Sequence, residues 1–122
     1  MSADLESLKS VKQLVQAQPP NTNAYSIFSK SNKHKKVVIT SIMIANTSAN
    51  AIQYSLFLDK DGTTYSTGTA LASSVSLGAH TSALLEFNNG LPIDPGAAGN
   101  LAVQVDTANA VTFTVNGIEA NG

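Results

Sequence analysis

The chain has no cysteine and no tryptophan, and no arginine occurs anywhere in it. Without cysteine there are no disulfides, no thiolate metal ligands and no thiol nucleophile, and the redox compartment stays open. Without arginine, the bidentate grip on phosphate or carboxylate is missing, and any such contact falls to lysine as a point charge. Charge of either sign is scarce: Asp, Glu, Lys and Arg make up 12% of the 122 residues, about half the usual share for a soluble domain. With a formal net charge of −1, long-range attraction to nucleic acid or to an anionic membrane is not expected. No apolar run is long enough to span a bilayer, and the first residues lack the apolar stretch of a signal peptide. The expectation is a protein made in a cytoplasm and used there, or carried out within an assembly.

What is there is apolar and small-polar. Apolar residues are 43% of the chain, and Ser, Thr, Asn and Ala fill the space that charge leaves. The length suits one domain with one closed core. Its organising stretch is Val37-Val38-Ile39-Thr40-Ser41-Ile42-Met43-Ile44-Ala45-Asn46-Thr47, a β-branched apolar run that predicts a strand covered on both faces. Asn46 to Asn50 supplies turn chemistry. Ile52 to Asp59 then alternates, with Ile52, Tyr54, Leu56 and Leu58 on one side and Phe57 out of pattern. The two strands are expected to form the central hairpin.

The flanks follow the same logic. Over residues 2–18, Leu5, Leu8, Val11, Leu14 and Val15 recur at near-helical spacing, with Asp4 and Glu6 early and Lys9 and Lys12 late. That order complements a helix dipole, and Pro19-Pro20 stops it. The prediction is a partly helical N-terminal arm over residues 1–22, ordered on a neighbouring subunit or left as a leader, ahead of a β domain over residues 23–122. Short strands are expected around Tyr25 to Phe28, Thr63 to Thr67, Ser82 to Phe87, Leu101 to Asp106 and Val111 to Glu119, with Ala70 to Ala79 carrying the chain across to the other sheet and Leu91 to Gly96 a brief extended piece ending in a turn. Turn signals at regular spacing and no helical periodicity after residue 20 predict an all-β fold. Its architecture is expected to be a single antiparallel β-sandwich, jelly-roll-like first and immunoglobulin-like second.

Few residues offer chemistry. His34 sits among lysines, and His80 lies in a turn beside Ser82 with no carboxylate placed to orient it. Asp59-Lys60-Asp61-Gly62 begins like a calcium loop, but Thr63 and Thr64 stand where the next ligand and the glycine belong. Two histidines on separate loops do not make a zinc site. Lys30-Ser31-Asn32-Lys33-His34-Lys35-Lys36 holds four of the seven lysines; it reads as a solvated loop before a salt-sensitive contact, and as a nucleic-acid site last. The expectation is no enzyme, no cofactor and no metal. Tyr25, Tyr54 and Tyr65 leave a carbohydrate-binding module open as an alternative.

A family likeness spans nearly the whole chain. It rests on Leu14 to Pro20 before a short strand, and on Val37 to Ile44 ending in Asn46-Thr47-Ser48. It continues through Ile52 to Gly62 ending in Asp-Gly, Leu91-Pro92-Ile93-Asp94-Pro95-Gly96, and Phe113 to Glu119. In these features the chain resembles small all-β virion proteins of tailed bacteriophages, capsid cement (decoration) proteins among them. One departure is the lysine-rich Lys30 to Lys36 in place of the family's Pro-Ala-Gly-Lys loop. The resemblance implies a cement protein on the capsid surface, a homotrimer bound to the major capsid protein, made in the host cytoplasm and touching neither nucleic acid nor membrane. A tail, neck or fibre accessory protein is the alternative. The residues expected to make the contacts are Leu5, Leu8, Val11, Leu14 and Val15, with Lys33, Lys35 and Lys36 as an electrostatic rim.

Overall fold

A computed structural model describes residues 11–29, 35–59, 65, 68–93 and 100–121. It contains eight strands: β1 (Val11–Ala17), β2 (Tyr25–Ser29), β3 (Lys35–Asn46), β4 (Ile52–Asp59), β5 (Ala70–Leu77), β6 (Ser82–Ile93), β7 (Asn100–Val105) and β8 (Val111–Asn121). They form two four-stranded sheets, ordered β1-β8-β3-β6 and β2-β7-β4-β5. Every pairing is antiparallel, and β1 meets β8, β2 meets β7, β3 meets β6 and β4 meets β5. That is one long eight-stranded hairpin, rolled up so that β3 also pairs β8 and β4 also pairs β7. The result is the jelly roll, as expected. No helix among the described residues is long and apolar enough to cross a membrane.

The core lies between the sheets and follows the two-residue period of its strands. Val37, Ile39, Ile42 and Ile44 of β3 meet Val111, Phe113 and Val115 of β8. From the other sheet come Ile52, Tyr54 and Leu56 of β4 and Leu101, Val103 and Val105 of β7. Tyr54 and Phe113 stack edge to face across the gap, ring centres 6.3 Å apart, an arrangement that adds a favourable quadrupole contact to the area each ring buries. Phe57, out of pattern in the sequence, points to the outer side of its sheet opposite Ala102. It is nonetheless only 6% exposed, because the Tyr65 ring lies 6.0 Å from its own.

Three expectations are corrected. The helix foreseen over residues 2–18 is a strand wherever it is described: Val11–Ala17 pairs with β8 along its length. The helical spacing of Val11, Leu14 and Val15 comes from a β-bulge. Gln13 opposes Asn116 and Val15 opposes Val115, so Leu14 is the extra residue and two successive side chains turn toward the core. The side chain of Leu14 reaches the space over Gly117, where a Cβ on the glycine would stand 2.8 Å from Leu14 Cδ1. Leu5 and Leu8 lie outside the described residues.

Second, β3 and β4 are not a hairpin, since they belong to opposite sheets. The five residues between them turn the chain across the sandwich. Third, β3 is fully buried on one face only; on the other, Val38, Ser41 and Ala45 are half-buried and Met43 is 37% exposed. The polar strand expected at Thr63 to Thr67 lies outside the described residues except for Tyr65, which is not in a strand. The Leu91 to Ile93 piece continues β6 beyond a bulge, with Ile39 opposite Leu91 and Ser41 opposite Glu86.

Candidate functional site

Two features stand out from the sandwich: a tied-off end and an outward face. At the end, the turn after β3 is built on Asn46, 2% exposed. Its Nδ2 donates to the carbonyls of Asn50 (2.8 Å), Gly78 (3.0 Å) and Leu77 (3.2 Å). Its Oδ1 accepts from the Ser48 amide (3.0 Å) and the Ser48 hydroxyl (2.8 Å). Three carbonyls on one side and an N–H on the other admit only one orientation of the amide.

The neighbouring turns join this hub. The Asn46 amide donates to the Thr81 carbonyl at 2.9 Å, and the His80 amide to the Ser48 carbonyl at 3.1 Å. Thr47 donates through both its amide (2.8 Å) and its hydroxyl (3.1 Å) to the Ala110 carbonyl. The Asn109 amide, in a left-handed conformation (φ 59°), reaches the Pro19 carbonyl at 2.8 Å. All four connections at this end, β1–β2, β3–β4, β5–β6 and β7–β8, are therefore pinned together by hydrogen bonds.

This end carries structure rather than chemistry. His80, the sequence's candidate base, sits exposed in the β5–β6 turn with φ 55°, and Ser82 is exposed at the start of β6. Among the described residues, no group of three or more His, Asp, Glu or Cys side chains gathers as a metal site. The tyrosines do not form an open stacking platform either. Tyr54 is buried, Tyr25 is half-buried, and Tyr65 packs on Phe57 with its hydroxyl 3.4 Å from Asn100 Oδ1. Burial raises the phenol pKa of both Tyr25 and Tyr54 above the ordinary 10.0.

The outward face belongs to the β1-β8-β3-β6 sheet, and its side chains fall into rows across the strands. One row is Pro92–Val38–Ile118–Val11, apolar in all four strands. The next is polar: Glu86–Ser41–Asn116–Gln13, with Asn116 Nδ2 donating to Ser41 Oγ at 3.3 Å. The third is Leu84–Met43–Thr114–Gln16, where Gln16 Nε2 donates to Thr114 Oγ1 at 3.0 Å. Leu84 is 49% exposed and Val11 46%. With Met43 they make three of the exposed large hydrophobic side chains on this one face, Val11 and Leu84 on its edge strands and Met43 on central β3.

Of the residues the sequence nominated for contact, Val11 stands on this face. Leu14 and Val15 instead pack against the core. Lys35 and Lys36 open β3, while Leu5, Leu8 and Lys33 lie outside the described residues. The sequence missed Val38, Met43, Leu84, Pro92 and Ile118. The signal was present in the apolar run of β3, interrupted only by Thr40 and Ser41, which a one-sided strand does not require.

No sequence model of a known family matches the chain, and no curated protein sequence matches it either. Solved structures do share its fold. A chain of the T13 particle of infectious bursal disease virus superposes with a TM-score of 0.52 at 13% identity, over 92% of this chain and 31% of its own length. A nora virus chain gives 0.51 at 10% identity, over 92% of this chain and 57% of that one. A subunit of Bacillus endospore appendages, described as disulfide-linked pili, gives 0.51 at 14% identity, over 92% and 88%. This chain thus spans under a third of the first viral protein's length, and at these identities the likeness is one of fold.

Proposed function

We propose that this protein is a structural component of a virion, a capsid cement protein that binds between capsomers and braces the shell, acting as a homotrimer. The observation that carries the reading is the outward face. This small jelly roll carries one row that is apolar in all four strands and an exposed Leu84–Met43 pair facing away from its core. Such a block works by being held against neighbours, and repetition over a lattice offsets modest affinity at each contact. The viral particle chains among its structural neighbours and the layout shared with tailed-phage virion proteins support the same reading. The test is to add purified protein to shells lacking it and count bound copies. Hundreds per particle, with raised shell stability, are expected; a handful at one vertex would point to a tail or neck protein instead. Sedimentation of the free protein should give three times the chain mass.

One observation favours a second reading, a subunit of an extracellular filament. The endospore pilus subunit matches this chain in length as well as fold. A filament of this chain would be held without disulfide links, because it has no cysteine. Electron microscopy of concentrated protein distinguishes the two: regular filaments favour the second, discrete oligomers the first.

A further inference from the structure

The β1-β8-β3-β6 sheet is interrupted on both sides of β8 at one level. On one side Gln13 opposes Asn116 and Val15 opposes Val115, so Leu14 is an extra residue in β1. On the other, Ile39 opposes Gly117 and Ser41 opposes Asn116, so Thr40 is an extra residue in β3. The interruption continues into β6. Ile39 faces Leu91 and Ser41 faces Glu86, which leaves residues 87–90 against Thr40 alone. Gly90 lies in this detour with φ 77°, and a Cβ on it would collide with Val38 Cγ1. Three of the sheet's four strands therefore break register along one line, and β8 alone crosses it without an extra residue. Each bulge disrupts the ladder locally and bends its strand. Beside Asn116 side chains bridge the break: the Thr40 hydroxyl donates to the Asn116 carbonyl at 3.2 Å, and Asn116 Nδ2 to Ser41 Oγ at 3.3 Å.

The line divides the sheet into halves that are held unequally. On the Asn46 side, Ile42, Ile44, Val111, Phe113 and Val115 are buried, and the carbonyls of Asn50, Leu77 and Gly78 tie that end to the neighbouring turns. Beyond the line, the large side chains that this sheet buries are Val37, Ile39 and Ile93 among its described residues, a smaller apolar area and a smaller contribution to stability.

We propose that the line of bulges is a hinge: the sheet beyond it, residues 11–13, 35–39, 91–93 and 117–121, opens as one unit while the Asn46 half stays folded. Sub-global opening takes the contiguous elements that bury least apolar surface, and the bulges are where ladder continuity is already broken. The consequence falls on the outward face. The Pro92–Val38–Ile118–Val11 row rides wholly on the hinged part, whereas Leu84 and Met43 stand on the other side of the line. The face is thus two surfaces that move separately.

Hydrogen exchange of the full chain, followed amide by amide by NMR under native conditions, tests the hinge. After correction for intrinsic rates, the amides of Val37, Val38 and Ile118 should share one exchange rate, at least about tenfold above those of Ile42, Ile44 and Phe113. Two mild core truncations then separate the halves. Ile44→Val should speed exchange in the Asn46 half by roughly fivefold and leave the hinged part within about twofold, because the opened form keeps that half intact. Ile39→Val removes a contact made only when the hinged part is closed, so it should speed both halves by the same factor. Equal protection on the two sides of the line would overturn the proposal. So would an Ile44→Val effect shared by both halves, or unrelated rates at Val37, Val38 and Ile118, which would mean fraying rather than a unit. These readouts do not involve a shell or filament, so the hinge and the assembly reading stand or fall separately.

Discussion

Replacing Asn46 by aspartate changes one atom's chemistry and almost nothing of the shape. The acceptor side survives, since an Asp oxygen can still take the Ser48 amide and hydroxyl. The donor side is lost: the carbonyls of Asn50, Gly78 and Leu77 would face a carboxylate oxygen instead of an N–H. The contact to Leu77 is buried and the other two are partly so. Nδ2 has two N–H groups shared among the three carbonyls; a stranded buried acceptor costs roughly 1–3 kcal/mol and a lost partly solvated hydrogen bond about 1, so Asn46→Asp should lose roughly 2–4 kcal/mol at pH 7. Burial and three carbonyl dipoles both disfavour the charged form, which raises the new carboxyl above its unfolded value of about 3.9.

A raised folded-state pKa means stability that is present below the unfolded value and lost as pH climbs through the folded one. The deficit relative to wild type should therefore shrink between pH 7 and pH 4, where a protonated carboxyl regains one O–H donor. Asn46→Ala, which has no titrating group, should show a deficit that does not change over the same range. Urea unfolding followed by circular dichroism measures all three proteins at both pH values. A loss under about 1 kcal/mol at pH 7, or a deficit equal at both pH values, would refute the role given to this amide.

Three further outcomes are expected. Gly117→Ala would drive a Cβ into the Val38 carbonyl, against Leu14 Cδ1 at 2.8 Å and Ile39 Cα at 3.1 Å. Two of these are backbone of β3, so the change should cost about 3 kcal/mol and lower Tm by roughly 10 °C in a thermal melt. Removing residues 1–10 should leave the melt within a few degrees of wild type while weakening self-association in sedimentation; removing residues 1–18 takes β1 with them and should unfold the domain. Tyr54 is 4% exposed and its phenol is raised by burial. Its contribution is thus intact below pH 10 and falls as pH rises beyond the unfolded value of about 10, so Tyr54→Phe should lose less stability than wild type between pH 8 and pH 11 in urea titrations.

The rows on the outer face show how a surface hides from a linear reading. Val38 and Ile118 are 80 positions apart in the chain yet directly opposed in the sheet, and no local pattern reports which residue will stand beside another. Leu14 shows the complementary failure. Its bulge placed two neighbouring side chains toward the core, and in the sequence that spacing is the same as a helix face. Asn46 was legible only as turn chemistry. Its three carbonyl partners come from two separate connections, so the hub exists only once the sandwich has closed.

Some of this protein was decided by its sequence alone. The scarcity of charge, the β-branched alternation and the spaced turn residues specified strands, and the inward residues of β4, β7 and β8 could be named from a two-residue period, whereas the bulge at Thr40 breaks that period in β3. That holds because side-chain alternation is a property of the covalent backbone and needs no neighbour. Sheet membership, the strand made by Val11–Ala17 and the apolar row of the outer face were settled only by tertiary structure. Hydrogen-bond pairing between distant segments chooses each strand's neighbours, and only that choice determines which apolar side chains the chain covers itself and which it leaves exposed.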